Sequence, residues 1–109
     1  MTQLLDTAAL EAALQKFADQ RDWDRFHTPR NLILALTGEV GELAEIFQWL
    51  SDAQAEQIMQ TDKAEHVRQE VSDVLLYLMR LVMVLGIDIN AAVTSKMALN
   101  AIKYPPTQL

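Results

Sequence analysis

The chain has 109 residues, enough for one ordinary domain, and half of them are hydrophobic, which excludes a disordered segment. Fifteen Asp and Glu against nine Lys and Arg give a formal net charge of −6, which argues against DNA or RNA as a partner because such polymers require clustered cations. There is no cysteine, so disulfides, thiolate zinc sites and cysteine nucleophiles are excluded.

The opening MTQLLDTAALEAAL carries acids where a signal peptide needs positive charge. The longest strongly apolar stretch, Val74 to Ile87, is interrupted by Arg80 and is shorter than a membrane span. A cytoplasmic protein with no membrane partner is therefore expected. Three glycines and three prolines leave few turns, and the abundance of Ala, Leu, Gln and Glu predicts an all-α chain with one domain over residues 1–109.

Four main helices follow from the pattern. The first spans roughly Thr7 to Asp22, with Leu10, Leu14 and Phe17 on one face. A polar and aromatic connector, Trp23 to His27, leads to Thr28-Pro29, a helix start with Thr28 as N-cap and Pro29 in the first turn. That second helix continues to about Leu50, and Ser51 to Gln60 reads as a short helix or loop. Asp62 followed by Glu65 resembles a capping box and opens the third helix, which runs to Leu85 and ends on Gly86. Asp88 or Asn90 starts the fourth, which stops near Lys103 before Tyr104-Pro105-Pro106. From Val71 to Leu85 the third helix has only Ser72, Asp73 and Arg80 as clearly polar residues, so it needs cover on several sides. A bundle this small leaves part of that cover to a second subunit, and a homodimer or larger assembly is expected.

Two acidic pairs carry the functional signal. Glu39 and Glu42, with Glu45 one turn further, lie on the second helix, and Glu70 and Asp73 lie on the third. Residues three apart share a helix face. The spacing alone is common on solvated helices, but here the acids fall on or beside apolar stripes. Glu39 sits within the row Leu32, Leu36, Leu43, Ile46, and Glu70 sits among Val74, Tyr77 and Leu81. Several buried carboxylates repel unless they are salt-bridged, protonated or bound to a cation. Oxygen-only ligands favour Mg²⁺, with Mn²⁺ as substitute. The competing reading is inter-helix salt bridges to Arg30, Arg68 or Arg80. A di-iron bundle is disfavoured because neither His27 nor His66 stands three residues after a glutamate. Gly38 and Gly41 beside the acids would let a ligand or helix approach the backbone. Lys96, Asn100 and Lys103 recur on one face of the last helix, suited to phosphate and to a base or sugar edge, or simply to solvent.

The runs FHTPRNLILALTGEVGELAEIFQW, EVSDVLLYLMRL and SKMALNAIKYP together resemble the MazG-like all-α nucleotide pyrophosphohydrolases, and more narrowly their dCTP pyrophosphatase branch, over about residues 20 to 105. The resemblance implies a four-helix bundle of the MazG-like type, assembled as a dimer or dimer of dimers. It implies Mg²⁺-dependent hydrolysis of a deoxynucleoside triphosphate, dCTP or a modified dCTP, to the monophosphate and pyrophosphate. Carried over, Glu39, Glu42, Glu70 and Asp73 are the metal ligands, and Glu42 or Glu45 positions or deprotonates the attacking water. His27, Trp49 and Tyr77 would face the base and sugar, with Trp23 a weaker stacking candidate, while Lys96, Asn100 and Lys103 would bind the rest of the nucleotide. dUTP or a purine triphosphate as substrate, or a non-enzymatic all-α oligomerisation module, are the competing functions.

Overall fold

A computed structural model describes residues 3–107; residues 1, 2, 108 and 109 of the expected domain lie outside them. The described residues are helical throughout, without a strand: α1 (Ala8–Gln20), α2 (Pro29–Phe47), α3 (Asp52–Glu56), α4 (Ala64–Leu85) and α5 (Ile89–Lys103), with short 3₁₀ turns at Asp24–Phe26 and Ile58–Gln60.

Local chemistry sets most boundaries. At the start of α2, Thr28 Oγ1 accepts from the Asn31 amide N–H at 3.2 Å, and Pro29 fills the first turn, where no amide hydrogen is needed. Asn31 Nδ2 donates back to the Phe26 carbonyl at 3.0 Å, and Leu32 behind it is 2 % exposed. The segment Phe26–Leu32 is thus a clamp that holds His27 between the 3₁₀ turn and α2. Gly86 ends α4 with φ +68°, and its own N–H bonds the Met83 carbonyl. A side chain at Gly86 would meet no neighbour, so a substitution there costs only the left-handed conformation, about 1–2 kcal/mol. Asp88 caps α5 by accepting from the Ala91 N–H at 3.0 Å.

One cap lies elsewhere than the spacing suggests. Asp62 and Glu65 form no capping box; α4 begins after Lys63 with no side-chain cap, and the Thr61 hydroxyl accepts from the Lys63 N–H. The reciprocal box belongs to α3, where Ser51 Oγ accepts from the Gln54 N–H and Gln54 Oε1 accepts from the Ser51 N–H.

The packed centre is α2 against α4, with α1 across one end of α4 and the 3₁₀ turn at Ile58 against its start. Ala18, Leu32, Ile58, Ala64, Val67, Met79 and Val82 are the buried apolar residues of this core. Such a core is small, and the middle of α4 stays bare on one side: Val71, Leu75 and Leu78 are all 41 % exposed or more. After Gly86 the chain turns by 104°, so α5 leaves the bundle rather than closing it. The consequence is visible in global dimensions. A compact chain of this length has a radius of gyration of about 13 Å and exposes about 6,100 Å²; this chain has 17.2 Å and 8366 Å². No single helix among the described residues is long and apolar enough to cross a membrane.

Candidate metal centre and flanking cavities

Glu39 lies mid-way along α2, and Glu70 and Asp73 share a face of α4. Because α2 and α4 form the principal packed pair, the two acidic faces meet across it. One carboxylate oxygen from each of Glu39, Glu70 and Asp73 lies within 4.8 Å of the other two, and all three residues are half-buried. Glu39 Oε2 and Glu70 Oε2 are buried without a hydrogen-bond partner. The nearest basic group is the exposed His66, whose Nε2 is 3.4 Å from Glu70 Oε1.

Salt bridges do not account for this trio. Among the described residues Arg68 pairs with Glu65 on its own helix, Arg80 pairs with Asp24, and Arg30 forms no ion pair. The acids therefore face one another. Glu39 registers the strain: its pKa is pushed up to about 7, first by loss of water around the carboxyl and then by the negative charges of Glu42, Asp73 and Glu70. Two orphaned buried oxygens in a three-carboxylate cage match the all-oxygen donor set of a hard divalent cation.

Two hollows flank the trio. A cavity of about 450 Å³ lies between α1, α4 and the Trp23–His27 segment, walled by Leu14, Phe17 and Trp23, with Asp73, Tyr77, His27 and Arg80 as its polar edge. A cleft of about 390 Å³ opens on the other side, lined by Glu42, Glu45, Trp49, Lys63, His66 and Glu70. Asp73 borders the first hollow and Glu70 the second, so the trio stands between them.

The placement of the sequence candidates follows. Glu42 lies outside the trio, exposed one turn along α2, yet close enough to raise the pKa of Glu39. Glu45 and Trp49 line the cleft, and Trp49 is 87 % exposed. His27 and Tyr77 border the apolar cavity. Lys96, Asn100 and Lys103 border neither hollow within one chain, because α5 turns away; Lys103 Nζ instead sits 5.3 Å over the neighbouring Tyr104 ring. A methyl group at Gly38 or Gly41 would meet nothing within 4 Å, so no part of this chain approaches the backbone there. The residues that sequence reasoning overlooked are Gln15 and Asp24, which with His27 anchor Arg80. The available signal was Arg80 itself, a lone cation in an apolar run.

Fold and site together define an all-helical protein with an inter-helix carboxylate cage beside an apolar cavity. Residues 35–108, which include all four candidate ligands, match the MazG-like family, and the chain belongs to that family. It is 52 % identical over 91 residues to dCTP pyrophosphatase 1 of Rattus norvegicus and 48 % identical over 91 residues to that of Homo sapiens. Each alignment covers 83 % of this chain and 54 % of the relative, so the chain spans about half the length of these curated relatives. A crystal structure of a pyrophosphatase from Archaeoglobus fulgidus superposes with a TM-score of 0.85 at 38 % identity, covering 97 % of this chain and 98 % of that one.

Proposed function

We propose that this chain is a metal-dependent nucleotide pyrophosphohydrolase. It cleaves dCTP, or a modified dCTP, with water between the α and β phosphates to give the nucleoside monophosphate and pyrophosphate, and so cleanses the cytoplasmic nucleotide pool. The observation that carries this reading is the cage of Glu39, Glu70 and Asp73, with two buried oxygens lacking any partner, set against a cavity within the usual size range of a small-molecule site, roughly 300–1,000 Å³. The names of the relatives supply the substrate.

Glu39, Glu70 and Asp73 would hold Mg²⁺, or Mn²⁺ in its place, with Glu42 joining from the next turn of α2. The cation would supply Lewis acidity and charge neutralisation at the triphosphate. Glu42 or Glu45, exposed at the cleft, accepts the proton of the attacking water. The apolar cavity takes the base: Trp23 and Phe17 provide aromatic surface, Tyr77 packs near the sugar, and His27 offers a polar contact. Trp49 offers a second stacking surface across the cleft. Incubation with dCTP and Mg²⁺ should yield dCMP and pyrophosphate, resolved by ion-exchange chromatography; dCDP and phosphate would contradict the cut site. A panel of the eight common nucleotides should rank dCTP first.

The active form is a homodimer or homotetramer. The surplus exposed area, roughly 2,300 Å² per chain over a compact monomer, suits a large obligate interface. The bare row Val71, Leu75, Leu78 on α4 and the projecting α5 are its natural surfaces. In such an assembly Lys96, Asn100 and Lys103 reach a triphosphate bound by a neighbouring subunit. Sedimentation velocity at micromolar concentration should give two or four chain masses; a monomer would remove this part of the proposal.

A further inference from the structure

Arg80 is the most deeply buried charged residue described, 6 % exposed, and its three donor positions are all engaged across three segments. Nε donates to His27 Nδ1 at 2.8 Å, Nη1 donates to Gln15 Oε1 on α1 at 2.8 Å, and Nη2 pairs with Asp24 Oδ1 in the 3₁₀ turn. Gln15 Nε2 in turn donates to both Asp24 oxygens at 3.2 Å, so the anchor is itself braced. None of these groups belongs to the carboxylate cage, and each of the three guanidinium nitrogens already holds a partner within the chain.

The bond to His27 has a chemical consequence. Arginine Nε always carries its hydrogen and has no lone pair to accept with. His27 Nδ1 must therefore be the acceptor, which leaves the ring neutral with its one hydrogen on Nε2. A protonated ring, or the other tautomer, would set two N–H groups against each other at 2.8 Å. Burial and the adjacent guanidinium both lower the imidazole pKa, outweighing Asp24, which raises it. Trp23 stands edge-on to the imidazole at 5.9 Å between ring centroids. Nε2 has no hydrogen-bond partner among the described residues, although His27 lines the apolar cavity.

We propose that Arg80 is a positioning residue that locks His27 as the Nε2–H tautomer, giving the cavity one fixed hydrogen-bond donor for an in-plane acceptor of the base, a pyrimidine carbonyl O2 or an unprotonated ring N3. The link to a base rests on the proposed function; the tautomer does not. A donor that cannot become an acceptor distinguishes base edges by hydrogen-bond polarity, where aromatic stacking alone accepts any ring.

The test is ¹⁵N NMR of the imidazole nitrogens in the free, labelled protein at pH 7, where His27 and the exposed His66 are the only two histidines. His27 should show an unprotonated Nδ1 and a protonated Nε2. In Arg80→Met it should shift to the averaged signals of a free imidazole, and KM for dCTP should rise about tenfold, the loss of one hydrogen bond, with kcat within about twofold. Arg80→Lys keeps the charge but lacks the Nε–H, and it should behave like Arg80→Met. A protonated Nδ1 in the wild type, or an unchanged His27 spectrum in Arg80→Met, would overturn the assignment. The wild-type spectrum needs no variant, so it decides the tautomer even if Arg80→Met does not fold. A wild type that leaves dCTP uncut strikes the proposed function and the link to the base, whereas the ring nitrogens are read without turnover.

Discussion

Glu70→Ala and Asp73→Ala should each lower dCTP turnover by about 10³-fold or more while leaving helical content and assembly intact. The magnitude follows from the several kcal/mol that a positioned cation contributes to phosphoryl chemistry, at about 1.36 kcal/mol per factor of ten. Each substitution removes one oxygen donor from a set whose members lie within 4.8 Å of one another. Neither breaks a salt bridge to Lys or Arg among the described residues, so the metal-free fold should not suffer; taking one negative charge from the trio should relieve repulsion. The informative result is thus a dissociation between activity and stability. Steady-state kinetics read beside thermal melting in EDTA would show it. Substantial activity in both variants would remove the cage from the reaction, and collapse of the fold in both would mean that the acids serve packing.

Magnesium should raise the melting temperature by about 10 °C at pH 8 and by far less at pH 5. Glu39 holds a proton in the folded chain up to about pH 7, against 4.5 for the unperturbed group. Between those values the folded state binds more protons than the unfolded state. The contribution of this group to metal-free stability is therefore complete below pH 4.5 and is lost as pH rises through 7. A cation saturating the site about a hundredfold over its Kd adds roughly 2.7 kcal/mol, which for a chain near 100 residues is about 10 °C. At pH 5 the ion must first displace the proton, and the gain shrinks. Differential scanning calorimetry with millimolar Mg²⁺ or EDTA at the two pH values measures it. Equal shifts at both would separate the metal from Glu39.

The helix ends at Thr28, Gly86 and Asp88 are legible in the sequence because each depends on bonds within a few residues. Ser51–Gln54 obeys the same rule, inside a stretch whose pattern leaves short helix and loop equally open. Asp62–Glu65 has the right spacing, yet α4 starts after Lys63 without a side-chain cap, and the Thr61 hydroxyl accepts from the Lys63 N–H ahead of the helix. The acids are legible as a group because carboxylates within an apolar stripe contradict the pattern around them. Which of them share one cage is not, since the answer depends on the rotation of α2 against α4, and Glu42 stands outside by one turn. The anchoring of Arg80 is less legible still. Its partners come from α1, the 3₁₀ turn and the residue after it, and no local rule brings Gln15, Asp24 and His27 together. The direction of α5 is also a tertiary outcome: Gly86 marks where a helix ends but not the 104° through which the chain then turns.

The surplus area of the lone chain bears on how abundance governs the protein. If subunits cover Val71, Leu75 and Leu78 for one another, folding and assembly are one second-order event. Refolding then slows on dilution, and melting temperature rises with protein concentration. A newly made chain would wait, sticky and incomplete, for its first encounter with a sibling. A cell expressing a damaged copy beside an intact one would build mixed particles, so a single faulty allele would spoil more than its own share of the product.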